Sequence, residues 1–165
     1  MKALIVYDSV FGNTGKVAQV IGETISTNLQ GQAQTVQVAK VTPEQLQGLR
    51  LLVVGSPTRG FRPTEAIAKL INQLPKKQLA GVHVAAFDTR ILLDTINSKA
   101  LRFIVDKGGY AASTIAKAME KKSGILIAEP EGFLVTGEQG PLKEGELDRA
   151  QAWANGFTSK LRLEP

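Results

Sequence analysis

A doubly wound α/β domain, with a parallel sheet of about five strands and helices on both faces, is the fold class the sequence predicts. Three observations carry this expectation. Short apolar, β-branched runs recur along the chain, and amphipathic stretches with apolar residues three and four apart lie between them. Most of the runs are continuously apolar rather than alternating, as in strands covered on both sides. The 165 residues fit a single domain over residues 1–165, against a prior of roughly 150 residues per domain.

Ala3 to Tyr7 reads as the first strand, and Val17, Ile21, Ile25 and Leu29 line one face of the helix after it, which begins near Lys16. Thr35 to Val38 and Leu51 to Gly55 follow as strands. Ile67, Leu70, Ile71 and Leu74 mark a second helix, and Val82 to Phe87 the next strand. Residues 91–123 carry weaker signals: Ala100 to Val105 and Ser113 to Met119 look helical, separated by the Gly108-Gly109 break. Ile125 to Ala128 and Phe133 to Val135 form a final strand pair, and Leu147, Ala150, Ala154, Phe157 and Leu161 line the last helix.

Composition excludes several chemistries. The chain has no cysteine, so disulfides, thiolate metal sites, cysteine-held iron–sulfur clusters and thiol nucleophiles are ruled out. His83 is the only histidine, which excludes a multi-histidine metal centre; it sits in an apolar strand and reads as structural. No apolar stretch approaches the roughly 18–20 residues of a membrane span, and the apolar run after Lys2 is too short for a secretory signal. A cytoplasmic protein is expected. The net charge is +5. The first 55 residues carry four basic and three acidic side chains, residues 56–110 nine against four, and the last 55 seven against eight. The basic excess is therefore central but dispersed, with no run longer than two and few interleaved aromatics, a pattern that speaks against nucleic-acid binding.

In a doubly wound sheet, ligands bind beyond the carboxyl ends of the strands where the winding reverses. Three strand ends qualify: Asp8 to Thr14, Ser56 to Arg62 and Asp88 to Ile91. The first runs Ser9-Val10-Phe11-Gly12-Asn13-Thr14-Gly15 straight into a helix, a turn that aims backbone N–H groups and a helix start at one anion. A P-loop needs four residues between its glycines and Ser or Thr after its Lys; here two residues separate Gly12 from Gly15, and Val17 follows Lys16. The G-x-G-x-x-G dinucleotide pattern is absent too. What remains suits a terminal monophosphate held by the Ser9 and Thr14 hydroxyls, the Asn13 side chain and the Val10 to Gly15 amides. The alternative is an ordinary helix entry capped by Asn13 or Thr14.

Ser9 to Thr14 after an N-terminal strand resembles the phosphate loop of the flavodoxin family. Val54-Gly55-Ser56-Pro57-Thr58, with Gly60 and Pro63, resembles that family's second flavin loop, and Glu129 to Gly132, Gly137 and Gly140-Pro141-Leu142 resemble its later segments. The resemblance covers nearly the whole chain and is to the short-chain form. It implies a three-layer α/β/α fold with strand order 2-1-3-4-5, bound FMN, and electron transfer between a reductase and an acceptor protein, with no catalytic acid or base and no metal. The implied contacts are Ser9, Val10, Phe11, Gly12, Asn13 and Thr14 to the phosphate, Ser56, Pro57, Thr58, Arg59, Gly60 and Phe61 to ribityl and ring, and Asp88, Thr89 and Arg90 to the ring. A monomer is expected, and the basic charge suggests acidic partners.

The chain departs from the family pattern at the ring, where Trp on the second loop and Tyr on the third are common and only Phe61 is offered. Phe11 also replaces a phosphate-loop hydroxyl, a donor worth roughly 1.5–3 kcal/mol when its acceptor is charged. Arg59 and Arg90 near a ring favour its anionic reduced form. Trp153 lies on the last helix and reads as a packing residue, and Tyr110 as a loop aromatic. Two further readings stand beside the carrier: a flavodoxin-like oxidoreductase acting on a quinone or porphyrinogen, and a binding module that keeps the fold without flavin.

Overall fold

The computed structural model describes residues 1–91, 99 and 109–162. Its elements alternate as β1 (Lys2–Tyr7), α1 (Asn13–Leu29), β2 (Gln32–Gln37), two short 3-10 turns, β3 (Leu51–Pro57), α2 (Glu65–Gln73), β4 (His83–Ile91), α3 (Ala111–Glu120), β5 (Ile125–Leu126), β6 (Glu131–Val135) and α4 (Glu146–Arg162). The helix expected over Ala100 to Val105 lies outside the described residues.

The sheet runs β2-β1-β3-β4-β5, β6 also pairs with β4, and every strand pairing is parallel. From β1 the chain winds first to β2 on one side and then to β3 on the other, so the reversal falls between β1 and β3. The final strand pair is one strand position in two pieces. Val84 faces Leu126 and Phe87 faces Glu131, leaving two residues of β4 opposite four of the partner segment. That excess breaks the edge strand into β5 and β6.

Side chains alternate across β1, β3 and β4 because successive residues of a strand face opposite sides. Leu4, Val6, Leu52, Val54, Val84 and Ala86 pack with Ile67 and Ile71 of α2 and with Ala112, Ile115 and Met119 of α3. Ala3, Ile5, Leu51, Val53, Ala85 and Phe87 pack with Val17, Ile21 and Ile25 of α1 and with Ala150, Ala154 and Phe157 of α4. The result is three layers, α/β/α. On the second face Phe87, Phe133, Trp153 and Phe157 meet edge to face, with neighbouring ring centroids 5.0–6.3 Å apart, which makes Trp153 a packing residue as the sequence indicated. Gly55 makes room for this cluster: a Cβ there would lie 2.1 Å from the Phe87 ring.

Several boundaries differ from the sequence expectation. β2 begins at Gln32, because Gln32 to Gln37 pairs residue by residue with Lys2 to Tyr7 although its sequence is polar. β4 continues past Phe87 through Asp88, Thr89 and Arg90 to Ile91, since β3 supports it as far as Thr89 and β6 as far as Ile91. Helix α1 starts at Asn13, three residues before Lys16.

Candidate functional site

The carboxyl ends of β1, β3, β4 and β6 surround one open cavity of about 270 Å³. Val10, Phe11, Asn13 and Thr14 line it from the first loop, Pro57, Thr58, Arg59 and Gly60 from the second, Thr89, Arg90 and Ile91 from β4, and Val135 and Glu138 from β6 and the loop after it. The three strand ends singled out in the sequence thus converge. Val10, Phe11 and Ile91 are large apolar side chains left 39–49% exposed, and together they give the cavity an apolar rim.

The first loop is organised by its own polar groups. Gly12 caps α1 with φ 91°, the left-handed region that favours glycine, and as a glycine it brings no side chain to the helix start. A cap by Asn13 or Thr14 is therefore not what shapes the turn. Ser9 Oγ accepts hydrogen bonds from the amides of Gly12 (3.1 Å) and Gly15 (3.2 Å), which leaves its own proton free to donate. Thr14 is buried and its hydroxyl lies 2.8 Å from that of Thr89, so one of the two donates to the other and the second proton remains available. Asn13 Nδ2 donates to the Gln139 carbonyl at 3.0 Å, fastening the loop after β6 to the helix start. The Lys16 amide bonds to the Gly12 carbonyl, whereas the Asn13 and Thr14 amides, at the open end of the helix, find no acceptor among the described residues.

The second loop turns tightly. Arg59 and Arg62 exchange backbone hydrogen bonds at 2.9 and 3.0 Å around Gly60 (φ 53°) and Phe61 (φ 64°), a two-residue turn with both central residues left-handed. Fully buried Ser56 fixes its base: Oγ accepts the Thr64 amide at 2.9 Å and donates to the Pro57 carbonyl at 3.0 Å. Phe61 points away from the cavity into a separate groove with Arg62, Pro63, Glu65, Ala68 and Thr114. No aromatic of this loop therefore lines the central cavity, where Phe11 is the one aromatic among the described residues.

The third segment is strand rather than loop. Asp88 is fully buried, and its carboxylate accepts two hydrogen bonds from Arg90, at Oδ1 from Nε (2.6 Å) and at Oδ2 from Nη2 (2.7 Å). Oδ2 also accepts the Ala112 amide at 2.8 Å, and Thr58 Oγ1 accepts the Ala111 amide at 3.0 Å. The first two amides of α3 are thus satisfied by side chains of the site, and the carboxylate sits at a helix start where a negative charge is favoured. Burial pushes the Asp88 carboxyl above its usual range, opposed by the hydrogen bonds and charge of Arg90 and by the Ala112 amide. The Arg90 guanidinium lies 3.6 Å from the centre of the Tyr110 ring, and Gly132 gives it room, since a Cβ there would stand 2.1 Å from it. Arg90 is therefore a paired, stacked cation rather than a solvated one, and Tyr110 is its shelf.

Of the residues named from the sequence, Ser9, Gly12, Ser56, Phe61 and Asp88 do not line the cavity. Ser9, Gly12, Ser56 and Asp88 build the loops that do. Ile91, the last residue of the third strand end, lines it as well, and Val135 and Glu138 do so without having been singled out. The parallel register of β6 on β4, which puts Val135 beside Ile91, brings the last two in, and a sequence reading that placed both final segments on one strand position would have found them. No group of three or more potential metal-ligating side chains occurs among the described residues.

This geometry defines a class: a doubly wound α/β protein whose strand ends surround one open cavity beside an open helix start. No family model and no curated protein matches the sequence. Solved structures do match, and they show the flavodoxin fold. A flavodoxin from the domain Archaea superposes with a TM-score of 0.77 at 20% identity, over 98% of this chain and 99% of that one. Flavodoxin 2 from Bacillus cereus gives 0.74 at 19%, over 97% and 99%. The rubredoxin oxygen:oxidoreductase of Desulfovibrio gigas gives 0.73 at 14%, over 97% of this chain and 36% of that one, so the same fold also occurs as part of a longer protein. No described helix is long and apolar enough to cross a membrane.

Proposed function

We propose that this chain binds FMN in the cleft at the carboxyl ends of its strands and transfers electrons between partner proteins, a reductase and an acceptor. The observation that carries this reading is the pairing of one open, apolar-rimmed cavity with an unsatisfied helix start at its edge. The donor set fits the cofactor. The Asn13 and Thr14 amides, the Ser9 proton and the free proton of the Thr14–Thr89 pair are neutral donors of the kind a terminal monophosphate needs. The cavity, at about 270 Å³, lies just below the roughly 300–1,000 Å³ of small-molecule sites, as suits a planar ring left partly open to solvent.

Bound FMN supplies the electron chemistry, and the protein supplies position and electrostatics. Val10, Phe11 and Ile91, the apolar rim of the cavity, would exclude water from a ring held there. Thr58 and Gly60 border the cavity on backbone fixed by Ser56 and by the Arg59–Arg62 turn. Arg90 presents a fixed cation. No side chain is required as a proton donor or base, which distinguishes this reading from an oxidoreductase that acts on its own substrate.

The test is the visible absorbance of the purified protein with and without added FMN, followed by release and identification of any chromophore. A flavin spectrum with FMN released is the expected result. A colourless protein that takes up no FMN overturns the reading and favours a binding module with another anionic ligand.

A further inference from the structure

Resting on the FMN reading, we infer that Arg90 makes the cleft select the reduced, anionic flavin over the oxidised, neutral one, so that this protein holds its electrons at a raised potential. Arg90 lines the cavity, and three contacts fix its guanidinium: the two-point pairing with Asp88, the Tyr110 ring at 3.6 Å, and the space left by Gly132. A charge already in place needs no reorganisation when the ligand's charge changes, which is the condition under which a fixed group discriminates between two charge states.

Among the described residues that line the cavity, the other charges leave that effect in place. Asp88 is wholly buried and does not line the cavity, whereas Arg90 lines it and has a side chain 19% exposed, so of the two charges the cation is the one nearer the ligand's space. Nε and Nη2 serve the carboxylate, which holds the guanidinium plane in place. Glu138 also lines the cavity but is exposed to solvent, where its charge is screened. Arg59, exposed on the second loop, is screened in the same way.

Two electrons and one proton convert the oxidised ring to the reduced monoanion. In the assay dithionite supplies the electrons and water the proton. Anaerobic titration of the apoprotein with oxidised and with dithionite-reduced FMN gives two dissociation constants, and their ratio is the readout. The wild type is expected to bind reduced FMN at least tenfold more tightly, which for a two-electron couple raises the potential by about 30 mV. In the double variant D88N/R90Q, which removes the cation without leaving a buried charge, the ratio is expected to fall to near one. A purely structural role for Arg90 weakens both forms together and leaves the ratio unchanged, which overturns the inference. A wild-type ratio below one overturns it without any variant, so the test stands even if the double variant does not fold. Failure of the wild type to bind either form overturns the FMN reading itself, and is a distinct result.

Discussion

Replacing Arg90 by leucine leaves Asp88 buried with no counter-ion, and the consequence can be worked from the geometry. The carboxylate is fully buried and 2.6 Å from the nearest guanidinium nitrogen, and after the substitution the Ala112 amide and the Thr58 hydroxyl are its remaining partners. Removing one member of a buried pair costs about 3–5 kcal/mol. Because the substitution removes the partly exposed member and strands the wholly buried one, the loss falls within that range at neutral pH. In a chain of this length 1 kcal/mol moves Tm by about 2–4 °C, so a fall of at least about 6 °C is expected. The pH dependence has a definite sign. Burial raises the Asp88 carboxyl above its unfolded value. The folded state therefore binds more protons between the two values, and stability is lost as pH rises through the folded one. Without Arg90 the folded value rises further, so the deficit of the variant is smaller at pH 5 than at pH 8. Urea unfolding at both pH values is the assay, with D88N/R90L expected to recover most of the loss. A deficit under about 1 kcal/mol that does not change with pH refutes the reasoning.

Three further predictions follow the same logic. In Gly55→Ala the new methyl meets the Phe87 ring and drives it into Phe133 and Trp153, and thermal unfolding should register a loss of about 1–3 kcal/mol. Burial works to raise the Glu146 carboxyl, but the Arg149 hydrogen bonds, the Leu134 amide and the charges of Arg149 and Lys143 hold it below its usual value. Its stabilisation is therefore present above the unfolded value and lost as pH falls through the folded one, so Glu146→Gln should destabilise by about 1.5–3 kcal/mol at pH 7 and by much less near pH 3 in urea titrations. Thr89→Val strands the buried Thr14 hydroxyl, and chemical denaturation should show a loss of about 1–3 kcal/mol, together with weaker FMN binding by fluorescence titration.

Much of the architecture was legible because burial on both faces writes continuous apolar runs into β1, β3 and the first half of β4. The misread boundaries are those where pairing rather than burial holds the strand. The edge strand β2 is polar, and Asp88-Thr89-Arg90 reads as loop although β3 and β6 keep the first two residues in the sheet and fully or almost fully buried. The cleft was legible as three convergent loops. What the sequence could not display was the division of labour within them: Phe61 turns outward because a left-handed φ at two consecutive residues reverses the chain, and Arg90 loses its solvated character to Asp88, a partner two residues away on the same strand. The polar residues that looked like ligand contacts are partly scaffold, since a side chain such as Ser9 that accepts two amides of its own loop both shapes the turn and offers its proton outward.

The attachment of α3 to the cleft makes that helix a reporter. Its first two amides, of Ala111 and Ala112, end on Thr58 Oγ1 and on Asp88 Oδ2, side chains that belong to the second loop and to β4. Any ligand that draws Thr58 or Arg90 toward itself changes the acceptors these amides see. Hydrogen exchange at those two positions then follows occupancy of a cavity that neither residue lines, and a probe attached to the exposed side of the first turn of α3 reads the state of the cleft without entering it.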